Sequence, residues 1–139
     1  LLKGLGPHWH KWITSSVMAY NCCTMHKLLD WFNEYQAKHG MQDLWWRMDP
    51  VTNPNLMRLE HIPMEMRLEA IQPLIELILE TPCKPTRESI GVLIKSLTST
   101  QKPSEGSFQE LIDYTRILDI KRNQSLKEVF PHLKEVFDG

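Results

Sequence analysis

The sequence predicts an α/β fold that is predominantly helical, and three observations predict it. A short β-branched run, an amphipathic segment and a short aromatic run follow one another between residues 12 and 48, the order of a β-α-β unit with parallel strands. From Pro63 onward the apolar residues recur at helical spacing alone. With 42% apolar and 24% charged residues among 139, the chain can build an ordinary globular core.

In residues 12–20, Ile13, Val17 and Ala19 share one parity of a strand. Thr14, Ser16, Met18 and Tyr20 share the other, a mixed face suited to a polar interior or a ligand. Asn21 or Thr24 then caps a helix carrying Met25, Leu28, Leu29, Phe32 and Tyr35, and Gly40 stops it. Residues 43–48 form a second strand, bounded by Asp49 and Pro50.

Pro50, Asn53 and Pro54 hold an irregular crossing segment, and residues 56–62 are expected to run extended into Pro63, because a residue before proline is pushed out of helical geometry. Pro63 opens a helix with a stripe of Met64, Leu68, Ile71, Ile75 and Ile78, bent at Pro73. Glu65, Glu69 and Glu76 fall on or near this helix, mostly opposite the stripe, and read together with Glu60 as a solvated face.

Thr86 caps a segment with Ile90, Leu93, Ile94 and Leu97 on one side, and residues 98–106 form a loop. Ser107 with Glu110 and Ser125 with Glu128 have capping-box spacing and start two more helices. The first carries Phe108, Leu111, Ile112 and Leu118. The second carries Leu126, Val129, Phe130, Leu133, Val136 and Phe137, and breaks or bends at Pro131. Two or three strands are too few for a parallel sheet, which predicts further strands on the amino-terminal side. The opening Leu1, Leu2, Lys3, Gly4, without methionine or a signal-like region, leads to the same expectation of a chain cut from within a larger protein.

Charge narrows the function classes. A net charge of −1, with 16 basic and 17 acidic residues spread along the chain, offers no footprint for a phosphate backbone and argues against nucleic acid. The apolar run at residues 74–79 is interrupted by Glu76 and is too short to span a membrane. Three cysteines, two of them adjacent, do not make a closed disulfide set, so a reducing compartment, the cytoplasm, is expected.

His8, His10, Cys22, Cys23 and His26 are ligand types that zinc or an iron–sulfur cluster takes, but no Cys-x-x-Cys pair is present and the histidines flank a strand. No metal ligand is assigned, and two buried thiols with surface histidines is the expected arrangement. Cys23 and His26, three apart at a helix start, have the spacing of a thiol–imidazole pair, but no orienting acid or oxyanion donor is recognisable. No catalytic residue is assigned. Trp9, Trp12, Trp31, Trp45 and Trp46 lie among patterned apolar segments and are expected to pack. Gly4 and Gly6 lack the strand and further glycines of a phosphate loop.

Two stretches carry a family resemblance. Pro54, Leu56, Met57, Leu59, Ile62 and Pro63, leading into a helix, resemble the end of the barrel in radical S-adenosylmethionine (radical SAM) proteins with a twitch-like carboxy-terminal extension. Leu118, Asp119 and Arg122, followed by Ser125, Leu126, Phe130, Pro131 and Leu133, are similar to the closing segment of those proteins. The strand Ile13 to Asn21 with its helix fits the late barrel strand preceding both.

The resemblance implies the last strands and helices of a partial (β/α) barrel in residues 1–81 and a helical extension in residues 82–139. It implies S-adenosylmethionine and a [4Fe–4S] cluster in the intact protein, the cluster cleaving the cofactor reductively to a radical that abstracts hydrogen from a peptide or small molecule. The cluster loop, Cys-x3-Cys-x2-Cys, is not in this chain, so its ligands are expected upstream, in the part of the same protein that is the implied partner. An auxiliary cluster is doubtful, since Cys83 alone follows residue 23. Ser16, Asn21 and the backbone around Leu59 stand where that family touches the cofactor, the competing reading being ordinary strand-end capping. The alternative to an enzyme fragment is a mostly helical, non-enzymatic interaction module docking through its Trp-rich half.

Overall fold

A computed structural model describes residues 10–102 and 104–138. Strand β1 (Lys11–Val17) leads through a 3-10 turn (Cys22–Thr24) into helix α1 (Met25–His39), and strand β2 (Leu44–Pro50) follows. The strands pair in parallel, Trp12 beside Trp45, Thr14 beside Arg47 and Ser16 beside Asp49, as the β-α-β order requires. Helices α2 (Met64–Glu80), α3 (Lys84–Leu97), α4 (Ser107–Arg122), α5 (Leu126–Val129) and α6 (Lys134–Asp138) complete a mostly helical chain with a small parallel sheet.

α1 buries Met25, Leu29, Phe32 and Gln36 along one stripe, and Gly40 ends it in the left-handed conformation, φ 61°, its N–H donating to the Gln36 carbonyl. Phe32 meets Trp46 edge to face at 4.9 Å between ring centres, which seats α1 on the sheet. The buried Gln36 amide donates to the Met41 and Leu44 carbonyls and pins the turn into β2. One cluster of buried side chains runs from Val17 through Leu74 and Leu93 to Phe137. α3, which begins just past the expected boundary at residue 82, packs on β2 and α2 and shares that cluster.

Several local expectations are corrected. Residues 56–62 are not extended: two 3-10 turns, Asn55–Met57 and Leu59–His61, compact the segment, and only Arg58 and Ile62 keep extended dihedrals. On α2 the buried residues are Arg67, Ala70, Ile71, Leu74 and Leu77, whereas Leu68 and Ile75 are 51% and 45% exposed. The stripe is rotated because Arg67 points inward, donating to the carbonyls of Ile62, Leu97 and Ser99 at 2.9–3.0 Å and joining the start of α2 to the end of α3. Pro73 is accommodated inside the continuous helix.

Neither capping box forms. Gly106, at φ 81°, occupies the cap of α4, and the Ser107 hydroxyl donates back to Ser104. The Leu126 N–H at the start of α5 donates to the Asp119 carboxylate at 3.0 and 3.1 Å, so a side chain of α4 supplies the cap expected of Ser125. Thr86 lies inside the first turn of α3 and turns to the sheet. Pro131 opens the 3-10 turn Pro131–Leu133 that separates α5 from α6, the break expected there.

Candidate functional site

The two faces of the sheet are unlike. Val17, Leu44, Trp46 and Met48 are buried beneath the helices, whereas Trp12, Thr14, Ser16 and Arg47 of the opposite face are exposed. Thr14 and Ser16 therefore lie on an open face, as their parity indicates. Met18 and Tyr20 do not continue it: the chain turns after Val17, and the Tyr20 hydroxyl is buried 2.6 Å from that of Thr115 on α4. Burial holds the Tyr20 phenol above its ordinary pKa, and this hydrogen bond opposes the rise.

The two edges differ as well. Along the outer edge of β2 the Trp46 N–H donates to the Thr86 hydroxyl at 2.9 Å and the Met48 N–H donates to the Ser89 hydroxyl at 2.6 Å. Residues three apart on a helix face one way, so α3 seals alternate donors of the strand. β2 is the only strand beside β1 among the described residues, and the other edge of β1 has no strand against it.

Parallel sheets bind ligands beyond the carboxyl ends of their strands. Here that end is built by three segments. The Asn21 amide donates to the Ser16 carbonyl at 3.1 Å, and its Oδ1 accepts the Met18 N–H at 2.9 Å, which folds the chain over after β1. The Val51 N–H donates to Val17, and the Ala19 N–H donates to Met57, which draws the Asn55–Met57 turn over the strand ends. Leu59, buried, then lines a cleft of about 260 Å³ with Pro50, Val51, Arg58, Glu60 and Lys95.

Ser16, Asn21 and Leu59 thus lie at one end of the sheet. Asn21 has both polar side-chain atoms engaged in the turn, while the Ser16 side chain stands on the open face opposite Asp49. Arg47 and Asp49, paired at 2.8 Å on that face, were not singled out from the sequence, although strand alternation from the apolar Leu44, Trp46 and Met48 marks them. In the cleft, burial is the largest influence on the Glu60 carboxyl and raises it, but the Arg58 hydrogen bonds, at 2.9 and 3.3 Å, together with a backbone hydrogen bond and the charges of Arg58 and Arg67, hold the carboxyl below its ordinary pKa.

Compared with protein-family models, curated proteins and solved structures, the chain matches none.

A second group of chemically capable residues lies away from the strand ends. Cys22 is buried, Cys23 is half-buried, and their sulfurs are 3.7 Å apart. Cys23 lines a cleft of about 280 Å³ with His26, Lys27, Glu69 and His132, so the last of these joins residues far apart in sequence. His8 lies outside the described residues, and His10 is exposed at the start of β1. Among the described residues no three His, Cys, Asp or Glu side chains are arranged to hold a metal ion. Likewise, no helix among them is long and apolar enough to cross a membrane.

The hydrogen bond between the thiols lowers the Cys23 pKa and raises that of Cys22 well above its ordinary value. Burial lowers both His26 and His132, and His26 Nδ1 and His132 Nε2 are buried without a hydrogen-bond partner.

Proposed function

We propose that the chain is the carboxy-terminal part of a radical SAM-type enzyme with a twitch-like extension, and that it supplies one wall of the cofactor and substrate site. The carrying observation is the asymmetry of the sheet: helices cover one face, and a polar face with Thr14, Ser16, Arg47 and Asp49 stays open. A parallel sheet ordinarily has both faces covered and more than two strands, so this one calls for added structure. The hydroxyls of α3 occupy the β2 edge, which leaves the β1 edge as the side on which strands join.

In a partial barrel, helices lie outside and strand residues of one parity line the interior, an arrangement this distribution supports. The residues present do not fit a [4Fe–4S] cluster: Cys22 and Cys23 are adjacent, and Cys83 begins another helix. The cluster belongs to the upstream part of the protein, and with it the electron that cleaves the cofactor. This chain's share is the polar wall, Ser16 offering a hydroxyl and Arg47 with Asp49 a fixed pair of charges, while the Leu59 segment closes the carboxyl end. A peptide or small molecule is the substrate class, and the cytoplasm is the location in this reading.

The alternative is a helical interaction module without chemistry, and the exposure of Trp12 (55%) and Trp31 (51%) favours it. One experiment separates the two. The coding sequence upstream of Leu1 is read, and the full-length product is reconstituted anaerobically with iron and sulfide and supplied with reductant and S-adenosylmethionine. Three cysteines at Cys-x3-Cys-x2-Cys spacing, with reductive release of methionine, are expected. Absence of those cysteines overturns the enzyme reading.

A further inference from the structure

Cys22 and Cys23 have no part in the reading above. Their position is set by the fold: the turn after β1 buries Cys22 against the Ala19 carbonyl, while Cys23 faces the cleft between α1, α2 and the Pro131–Leu133 turn. Two thiols in contact, one buried and one open to a cleft, are inequivalent by construction. The groups around Cys23 are His26 and Lys27 from α1, Glu69 and the buried Arg67 from α2, and His132 from the carboxy-terminal turn. We infer that Cys22 and Cys23 form a thiol–disulfide exchange site whose substrate is a low-molecular-weight disulfide such as oxidised glutathione.

The first step falls to Cys23. Its thiolate attacks one sulfur of the disulfide, forming a mixed disulfide and releasing one thiolate. Cys22, 3.7 Å away, then loses its proton to the released thiolate and attacks the Cys23 sulfur, expelling the second thiolate, which takes up a proton from solvent. Two protein thiols are oxidised to a disulfide, and the small disulfide is reduced to two thiols. The roles do not exchange, because Cys22 is 1% exposed and no small disulfide reaches it.

The product is easily reversed. Neighbouring Cα atoms lie about 3.8 Å apart, closer than the roughly 4.4–6.8 Å that disulfides usually span, and strained disulfides are the more reducible ones. Forming the bond also draws Cys22 from the core at the start of α1, so oxidation loosens the helix that covers the sheet.

The test uses the whole chain carrying Cys83→Ser, which removes the third thiol and touches neither the cleft nor the strand ends. After treatment with oxidised glutathione and acid quenching, intact mass should show loss of two hydrogens and no accumulated adduct. Adding Cys22→Ser should trap one glutathione on Cys23. Adding Cys23→Ser instead should slow reaction at Cys22 about tenfold or more. Equal adduct on Cys23 with and without Cys22 would overturn the inference, as would Cys22 reacting as fast as Cys23.

If Cys22→Ser fails to fold, the Cys83→Ser protein is titrated with a trivalent phenylarsenical, which bridges neighbouring thiols. One equivalent should bind and prior oxidation should block it, whereas no binding to the reduced protein sinks the proposal. These readouts do not depend on S-adenosylmethionine, so they stand or fall separately from the proposed enzyme.

Discussion

The covered and open faces of the sheet are made from the same two strands, yet they obey different rules. On the covered face Trp46 packs against Phe32 and donates its indole N–H to Ser15 at 2.8 Å, so shape and polarity are both satisfied inside the chain. On the open face Trp12 and Trp45 stack at 5.9 Å with Trp12 still half in solvent, and Arg47 pairs with Asp49 in water. The same residue type is a core anchor at 46 and an uncommitted surface at 12. Strand parity, not composition, separates them.

The largest test of that contrast is Trp46→Ala, expected to cost about 3–5 kcal/mol in urea denaturation by creating a cavity under α1. Trp12→Ala should cost about 1 kcal/mol or less, the value of a partly exposed aromatic pair. Equal losses would mean that the open face is packed in solution. Next in size is Arg67→Met, which keeps the bulk but strips three carbonyls of their donor, and roughly 3 kcal/mol should be lost.

At the edges, Thr86→Val leaves the Trp46 N–H buried and unpaired and should cost about 1–3 kcal/mol. Thr14→Val on the open face should stay within about 0.5 kcal/mol. Ser16→Ala should likewise leave stability within about 0.5 kcal/mol, and if the proposed function holds it should weaken S-adenosylmethionine binding about fivefold, the value of one hydrogen bond. Unchanged binding would remove Ser16 from the proposed cofactor wall.

The smallest effect is on pH. Burial depresses the pKa of His26 and His132 below the ordinary value of 6.5, so the fold favours their neutral forms. Their contribution is present above 6.5 and is lost as pH falls through that value toward the folded pKa values. Both are half-buried, with one ring nitrogen each shielded from solvent, and the effect is expected to be the slightest of the set. Replacing both with Gln should flatten the acid limb of a denaturation midpoint plotted against pH.

Much of the fold is legible locally. The helix from Met25 to Gly40 follows from i, i+4 spacing and one glycine, and the parallel pairing follows from a strand, a helix and a strand in succession. Three side chains are placed by one cause that is not local. Thr86 reads as a cap, and Arg67 and Asp119 carry no signal of an inward role, but each bonds to backbone about 7 to 40 residues away. A window the length of one helix does not contain the Leu97 partner of Arg67 or the Trp46 partner of Thr86, and the Leu126 partner of Asp119 lies across the turn that ends α4. Of the candidate site, Ser16 is marked by its parity, whereas placing Asp49 beside it required the register and His132 required the packing of the carboxy-terminal turn beside α1.

The sequence by itself determined the element order, the parallel sense of the strands and the polar parity of Thr14 and Ser16 on β1, because periodicities of 2 and 3.6 are local properties of the backbone. Only the tertiary structure decided which side of α2 is buried, which edge of the sheet is sealed, and that Cys23 and His132 share a cleft. Those depend on backbone donors and acceptors finding distant side chains, and burial compels such pairings wherever water is excluded.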